Sequence, residues 1–281
     1  MRVPALPFRH AVITGACGGL GQALAHELLA SGARLTLVGL DRTVLQRLAD
    51  QAPDRVGVHV ADVSDSAAMQ AVAAAGMARF GLPDLVIANA GVAGGMDTAE
   101  SGDLAVMRRM LEINLLGPAV TFQPFVKAAR QQRCRVRCAL VGVASIAGWR
   151  GMPGNGAYCA SKGGLIRYLE SLRAECRGSG ITVHTVSPGY LRTALTAGNR
   201  FAMPGLMEPQ AAAQALLRGV ARGREHIVLP RRIGWLSRLL ACLPARVYDR
   251  ILLRQPRKPR WGQPGSTPIP GLGQAPPPAA D

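Results

Sequence analysis

Seven short apolar runs, separated by helical patterns, constrain this 281-residue chain more than any other feature. They are AVIT (11–14), RLTLVG (34–39), RVGVHV (55–60), DLVIAN (84–89), VRCALVGV (136–143), ITVHTV (181–186) and HIVL (226–229). The runs are nearly continuous in hydrophobicity rather than alternating, which is the pattern of strands covered on both faces. Strand and helix in alternation make βαβ units with parallel strands. The expected fold class is α/β: a single doubly wound domain with a seven-stranded parallel sheet flanked by helices. With 48% hydrophobic residues the chain can fill such a core.

The helices between the runs are punctuated accordingly. Gly19 to Ser31 closes with Gly32, Ser64 to Phe80 closes with Gly81, and Asp103 to Arg130 reads as one long helix. Ser64, after Asp62-Val63, is the expected N-cap of the second. Residues 190–208, with Gly198, Pro204 and Gly205, read as a longer loop at a strand's carboxyl end, where such folds cover substrate.

The first strand runs into TGACGGLG (14–21). Glycines there let the backbone turn tightly and approach a pyrophosphate, whose charge is met by the amino end of the following helix. A dinucleotide is therefore expected at Gly15, Gly19, Leu20 and Gly21. The spacing TGxxxGxG is not the ordinary GxGxxG, and it resembles the short-chain dehydrogenase/reductase family. The resemblance runs in order along residues 10–230. Asp62-Val63 look like the family's adenine-contacting pair, Asn89-Ala90-Gly91 its NAG motif, and Asn114 in EINLLG its helix asparagine. Ser145 with Tyr158-x-x-x-Lys162 follows its catalytic pattern, and Pro188-Gly189 with Thr193 the segment that holds the nicotinamide carboxamide. The resemblance implies a Rossmann-type fold, an NAD(P) cofactor and interconversion of a small-molecule alcohol and ketone by a homodimer or homotetramer.

Tyr158 and Lys162 stand one helical turn apart, a spacing shared by ordinary solvated helix surfaces. The surrounding residues favour chemistry. A carbonyl receiving a hydride develops negative charge on oxygen, and an acid must supply a proton there. A phenol, with an ordinary pKa of about 10, becomes a useful base at neutral pH only beside a cation that stabilises tyrosinate. On the resemblance, Lys162 does this while holding the nicotinamide ribose, Ser145 hydrogen-bonds the substrate oxygen and Asn114 orders a water for proton relay. Read singly, Ser145 is also a strand-end turn residue, Asn114 a helix polar group satisfied by backbone, and Asn89 a turn former. Cys159 and Ser161 are read as packing residues. The alternative function is a nucleotide-sensing binding protein without turnover.

Cofactor choice departs from the family pattern. An acidic residue ending the second strand would bind the adenosine ribose hydroxyls and repel a 2′-phosphate, but that position is Gly39. The next is Leu40 rather than arginine, and Gly18 is not basic. Arg42 is placed to reach a 2′-phosphate while Asp41 caps the next helix, which tips the expectation slightly towards NADP.

The net charge of +16 rests on arginine, with only three lysines, Lys127, Lys162 and Lys258. It gathers late: residues 218–260 hold 12 basic residues against Glu225 and Asp249. Within residues 231–254, Trp235, Leu236, Leu239, Leu240 and Leu243 form one apolar stripe, and Val247, Tyr248, Ile251 and Leu252 another beyond Pro244. Arg246, Arg250 and Arg254 recur on the opposite face. The pattern suits an anionic membrane surface, and equally packing on the catalytic domain or a partner subunit. Few aromatics interleave with the arginines, so no nucleic acid is expected.

The chain thus divides into an NAD(P)-binding catalytic domain (1–230), a basic amphipathic helical extension (231–260) and a Pro-rich tail (261–281) expected to be disordered and without chemistry. Six scattered cysteines without CxxC spacing argue against a disulfide framework, and Cys134 and Cys138 read as packing residues rather than a metal pair. No cleavable signal precedes the first strand and no run of about 18 apolar residues occurs. The expected setting is cytoplasmic, with peripheral attachment through the extension, and a membrane surface would favour a hydrophobic, lipid-like substrate.

Overall fold

The computed structural model describes residues 6–131, 137–199, 201–253 and 257–272. All seven apolar runs are strands: β1 (His10–Thr14), β2 (Arg34–Gly39), β3 (Val56–Val60), β4 (Leu85–Ala88), β5 (Cys138–Val143), β6 (Ile181–Pro188) and β7 (His226–Leu229). They form one parallel sheet in the order β3-β2-β1-β4-β5-β6-β7, the Rossmann-type arrangement expected. The order reverses between β1 and β4, so the cleft for a ligand opens beyond their carboxyl ends.

Helices α1 (Gly19–Ala30), α2 (Arg42–Ala49), α3 (Ser66–Phe80), α4 (Asp103–Leu111), α5 (Gly117–Gln131), α6 (Gly156–Glu175), α7 (Ala194–Ala197) and α8 (Pro209–Ala221) flank the sheet. Leu24 and Leu28 of α1 pack with Leu216 and Leu217 of α8 on one face. Phe122 and Phe125 of α5 pack with Leu165 and Leu169 of α6 on the other. Each such side chain, fully buried, contributes about 1.5–3 kcal/mol through loss of hydrated apolar surface.

Three boundaries differ from the sequence expectation. The N-cap of α3 is Asp65, whose carboxylate accepts the Ala68 N–H at 3.0 Å. Ser64 instead donates its hydroxyl to Asp62 at 2.7 Å, because the nearer carboxylate competes for it. The long helix from Asp103 is interrupted by a π-helical turn at Glu112–Leu116, and this turn carries Asn114. The loop at 190–208 contains the short helix α7.

Beyond β7, helices α9 (Arg231–Ala241) and α10 (Ala245–Leu252) break at Pro244 as the sequence predicts. Glycine inside a helix costs about 1 kcal/mol relative to alanine. Gly234 is used because α9 lies hard against β7: a methyl group there would stand 2.2 Å from Val228 Cγ1.

The tail departs from the expectation within its described residues, 261–272. Expected to have little to bury, it carries Ile269, only 3% exposed and packed with Val106, Met110 and Ile113. Arg260, just before it, pairs with Asp103 at 2.9 Å and Glu100 at 3.2 Å. Proline restricts the unfolded chain, so ordering such a segment costs less entropy than its composition suggests. Residues 273–281, Cys134 and Arg254 lie outside the described residues; Cys138 is buried in β5.

Candidate active site

The turn after β1 is built around Gly15, which has φ 64°. That left-handed conformation and the close passage of the next crossover both require glycine: a methyl group would stand 2.7 Å from Ala90 Cα. Thr14 Oγ1 accepts the N–H groups of Asn89 (3.1 Å) and Ala90 (3.2 Å), while Asn89 Nδ2 donates to the carbonyls of Thr14 and Gly15, both at 3.1 Å. The NAG segment is thus stapled to the glycine turn across the switch point. Gly21 lies beneath the turn against the Gly15 carbonyl, Gly19 lies under the Thr193 methyl, and Leu20 is buried at the mouth of α1.

Asp62 and Val63 follow β3. Val63 is buried, whereas the Asp62 carboxylate is engaged by the Ser64 N–H and hydroxyl and by an ion pair with Arg109. Burial alone would raise the Asp62 pKa; the Ser64 and Arg109 contacts outweigh it and hold it below its ordinary value. Arg109 also bonds the Pro270 carbonyl at 2.7 Å, tying the tail to this edge of the cleft. At the end of β6, the Gly189 N–H meets the Leu229 carbonyl at 2.6 Å, and the Thr193 N–H donates to Thr196 Oγ1 at 3.3 Å.

Ser145 ends the loop after β5, with its Oγ accepting the Ala147 N–H at 3.1 Å and donating to the Pro188 carbonyl at 3.4 Å. Tyr158 and Lys162 occupy one face of α6 and turn into the same cavity. The buried Lys162 ammonium donates to the Val143 carbonyl at 2.8 Å and lies 6.0 Å from the centre of the Tyr158 ring. Burial lowers the Lys162 pKa to about 8. Burial raises that of Tyr158 to about 12, with the Ser145 hydroxyl acting in the opposite direction. The expected lowering of the Tyr158 pKa by Lys162 is therefore not seen in the protein alone. Removing both groups from water favours their neutral forms more than their separation favours the charged pair.

The Asn114 carboxamide is fully committed. Its Oδ1 accepts the Val92 N–H at 2.8 Å, and its Nδ2 donates to the Val92 carbonyl at 2.9 Å and to Ser161 Oγ at 3.0 Å. Gly91 faces both Asn114 Oδ1 and Lys162 Nζ, each 3.2 Å from where a methyl group would stand. Ser161, read from sequence as packing, passes this link on to the Tyr158 carbonyl at 2.9 Å.

These elements surround a cavity of about 790 Å³ that reaches from Gly15 and Asp62 to Ser145, Tyr158 and Lys162. Sequence reasoning missed several of its walls. Asn155 is buried with Oδ1 unpartnered. Leu240, Tyr248, Ile251, Leu252 and Lys258 arrive from the extension, and Pro270 from the tail. Arg150 fastens α9 through the Ala241 carbonyl at 2.9 Å.

A glycine-rich turn at the switch point, beside a buried phenol and ammonium, defines the class of nicotinamide-dependent oxidoreductases on a doubly wound fold. Comparison with known proteins agrees. The family model described as short chain dehydrogenase matches residues 9–203. An uncharacterized oxidoreductase of Myxococcus xanthus is 36% identical over 254 residues, covering 89% of this chain and 98% of that protein. Levodione reductase of Leifsonia aquatica is 34% identical over 66% of this chain and 70% of its own. A short-chain dehydrogenase/reductase from Burkholderia phymatum, solved in complex with NAD, superposes with a TM-score of 0.75 at 25% identity, covering 92% of this chain and 99% of its own. The chain belongs to the short-chain dehydrogenase/reductase family and is an NAD(P)-dependent oxidoreductase acting on CH–OH groups.

Proposed function

We propose that the protein interconverts a hydrophobic ketone and its secondary alcohol, with Tyr158 exchanging the proton and NADP as the preferred cofactor. The observation that carries this reading is the Tyr158 phenol, kept protonated by burial, beside the Lys162 ammonium on the wall of one apolar cavity.

The cofactor, when bound, supplies or accepts the hydride. The glycine turn fits its pyrophosphate, since Gly15, Gly18 and Gly19 present main chain to the cavity. Asp62, Val63, Asn89, Ala90 and Gly91 would hold the adenosine half, and Pro188, Gly189 and Thr193 the carboxamide. Lys162 would hold the ribose while keeping positive charge beside Tyr158. Ser145 would donate a hydrogen bond to the substrate oxygen and orient it towards the phenol. As negative charge develops on that oxygen, Tyr158 delivers its proton, and Lys162 stabilises the tyrosinate left behind.

The hydrophobic substrate is supported by Ile251, which is both 43% exposed and on the cavity wall. Trp235, Leu236 and Leu239 stand exposed nearby on α9, with Arg231, Arg232 and Arg238 beside them. Among the described residues no helix is long and apolar enough to cross a membrane. The extension thus suits peripheral docking on an anionic membrane surface in the cytoplasm, by a homodimer or homotetramer.

The test is a carbonyl and alcohol panel with NADPH and NADH. Tyr158→Phe should lose about 10²–10⁴-fold in turnover while retaining cofactor affinity; undiminished turnover would sink the proposal. For docking, flotation with anionic vesicles should fail for a Trp235→Glu, Leu239→Glu variant, which leaves the cavity walls in place.

A further inference from the structure

Two of the three lysines in this arginine-rich chain line the cavity that holds Tyr158, and only Lys162 is accounted for. Lys258 belongs to the segment leading into the tail. Its main chain is pinned: the Gly95 N–H donates to the Pro259 carbonyl at 3.0 Å, and a methyl group on Gly95 would stand 2.4 Å from the Lys258 carbonyl. The Met96 N–H in turn donates to the Gly154 carbonyl at 2.9 Å, just before Asn155 and the start of α6. Lys258 is therefore anchored between the segment that follows the NAG motif and the one that leads to Tyr158.

Charge is divided unevenly along the cavity. Its acidic lining residues, Asp41 and Asp62, follow β2 and β3, and Asp62 is already paired with Arg109. Apart from Arg109, the other charged lining residues are Arg150, Lys162 and Lys258, all basic. The Arg150 guanidinium is occupied by main-chain carbonyls of the extension and by the Tyr248 ring, and Lys162 by Val143. Among the described residues, the Lys258 ammonium makes no hydrogen bond or ion pair, and burial lowers its pKa. A partly desolvated cation without a counter-charge is costly, and an oxyanion brought into the cavity would offset that cost.

We propose that Lys258 is a specificity-determining residue that binds an anionic group of the substrate, a carboxylate or phosphate, on an otherwise apolar ketone or alcohol. The inference rests on the reading that this cavity holds the substrate of Tyr158. The compact ammonium on a flexible stem suits an oxyanion without the fixed fork geometry of arginine. The apolar remainder of the substrate would lie along Leu240, Ile251 and Leu252.

Calorimetry on the full chain saturated with NADP⁺ tests this with decyl phosphate, decanoate and decan-1-ol as probes. At least one anion should bind about tenfold or more tightly than the alcohol. That ratio should fall towards one in Lys258→Met. In Lys258→Glu the preference should invert, favouring decylammonium, and this variant keeps the question decidable where Lys258→Met folds poorly. A ratio unchanged by substitution, or a wild-type preference for the alcohol, overturns the proposal. So does a loss of NADP⁺ affinity in place of the anion preference, since the charge would then serve a cofactor phosphate. An intact anion preference in a protein that turns over no carbonyl would support Lys258 and count against the proton-transfer reading alone.

Discussion

The Arg150 guanidinium lies 4.0 Å from the centre of the Tyr248 ring, and this contact joins the loop after β5 to α10. The Tyr248 hydroxyl donates to the Gly151 carbonyl at 2.9 Å, while Arg150 also caps the carbonyl end of α9. One side chain thus holds both helices of the extension beside the Tyr158 end of the cavity.

Arg150→Ala removes a stacking contact worth about 0.5–2 kcal/mol and leaves the α9 carbonyls without their cap. Hydrogen exchange should quicken across α9 and α10 without changing in the sheet. KM for a bulky apolar ketone should rise about tenfold, and kcat much less, because the wall moves while the proton donor does not.

Tyr158 has its pKa pushed up to about 12, so the phenol is the form present at neutral pH. Single-turnover ketone reduction should be flat with pH from about 6 to 7 and fall as Lys162 loses its proton near pH 8. Alcohol oxidation should rise across the alkaline range, because it needs the phenolate. A reduction rate that climbs with pH would contradict these assignments.

Lys162 is a cation whose pKa is lowered from 10.5 to about 8 by burial. Between those values the unfolded chain binds more protons than the folded one, so this group makes stability rise with pH through that window. Below pH 8 the buried charge is a cost. Lys162→Met should therefore abolish most turnover yet raise stability at pH 7 by on the order of 1–2 kcal/mol, after subtracting the lost bond to Val143. Thermal melts of both proteins at pH 7 and pH 9.5 should show the gap narrowing at the higher pH.

Gly39 bears on cofactor choice through a neighbour. A methyl group there would stand 2.4 Å from Cys17 Sγ, so an acidic side chain at 39 requires the thiol to move. Gly39→Asp alone should weaken both cofactors. Combined with Cys17→Ala it should bind NADH better than NADPH, reversing the proposed preference by about tenfold or more in Kd ratio. Fluorescence titration with each reduced cofactor reads the outcome.

The sheet was legible because each of its strands announces itself locally, as a short apolar run between helical patterns. The glycine turn and the Tyr158–Lys162 pair were legible because their chemistry demands fixed residue types at fixed spacing. What escaped was contact between distant residues. The Asp62–Arg109 pair and the burial of Ile269 against Met110 leave no periodicity to read. Composition misled for residues 261–272, where Ile269 is buried among prolines at 264, 268 and 270. The Lys162–Val143 bond also lay beyond sequence, and it sets where the ammonium stands relative to the phenol.

The cavity draws its proton-handling side chains from the loop after β5 and from α6, and other walls from residues 237–270. These lie in separate stretches of the chain, so they can vary separately. Substitutions, insertions or exchange of the last forty residues would alter which molecule is admitted while leaving the Ser145, Tyr158 and Lys162 geometry untouched. Within such a lineage, new substrates should arise first by divergence at the carboxyl end, and a carboxyl-terminal fusion or trim would change selectivity before it changed the reaction.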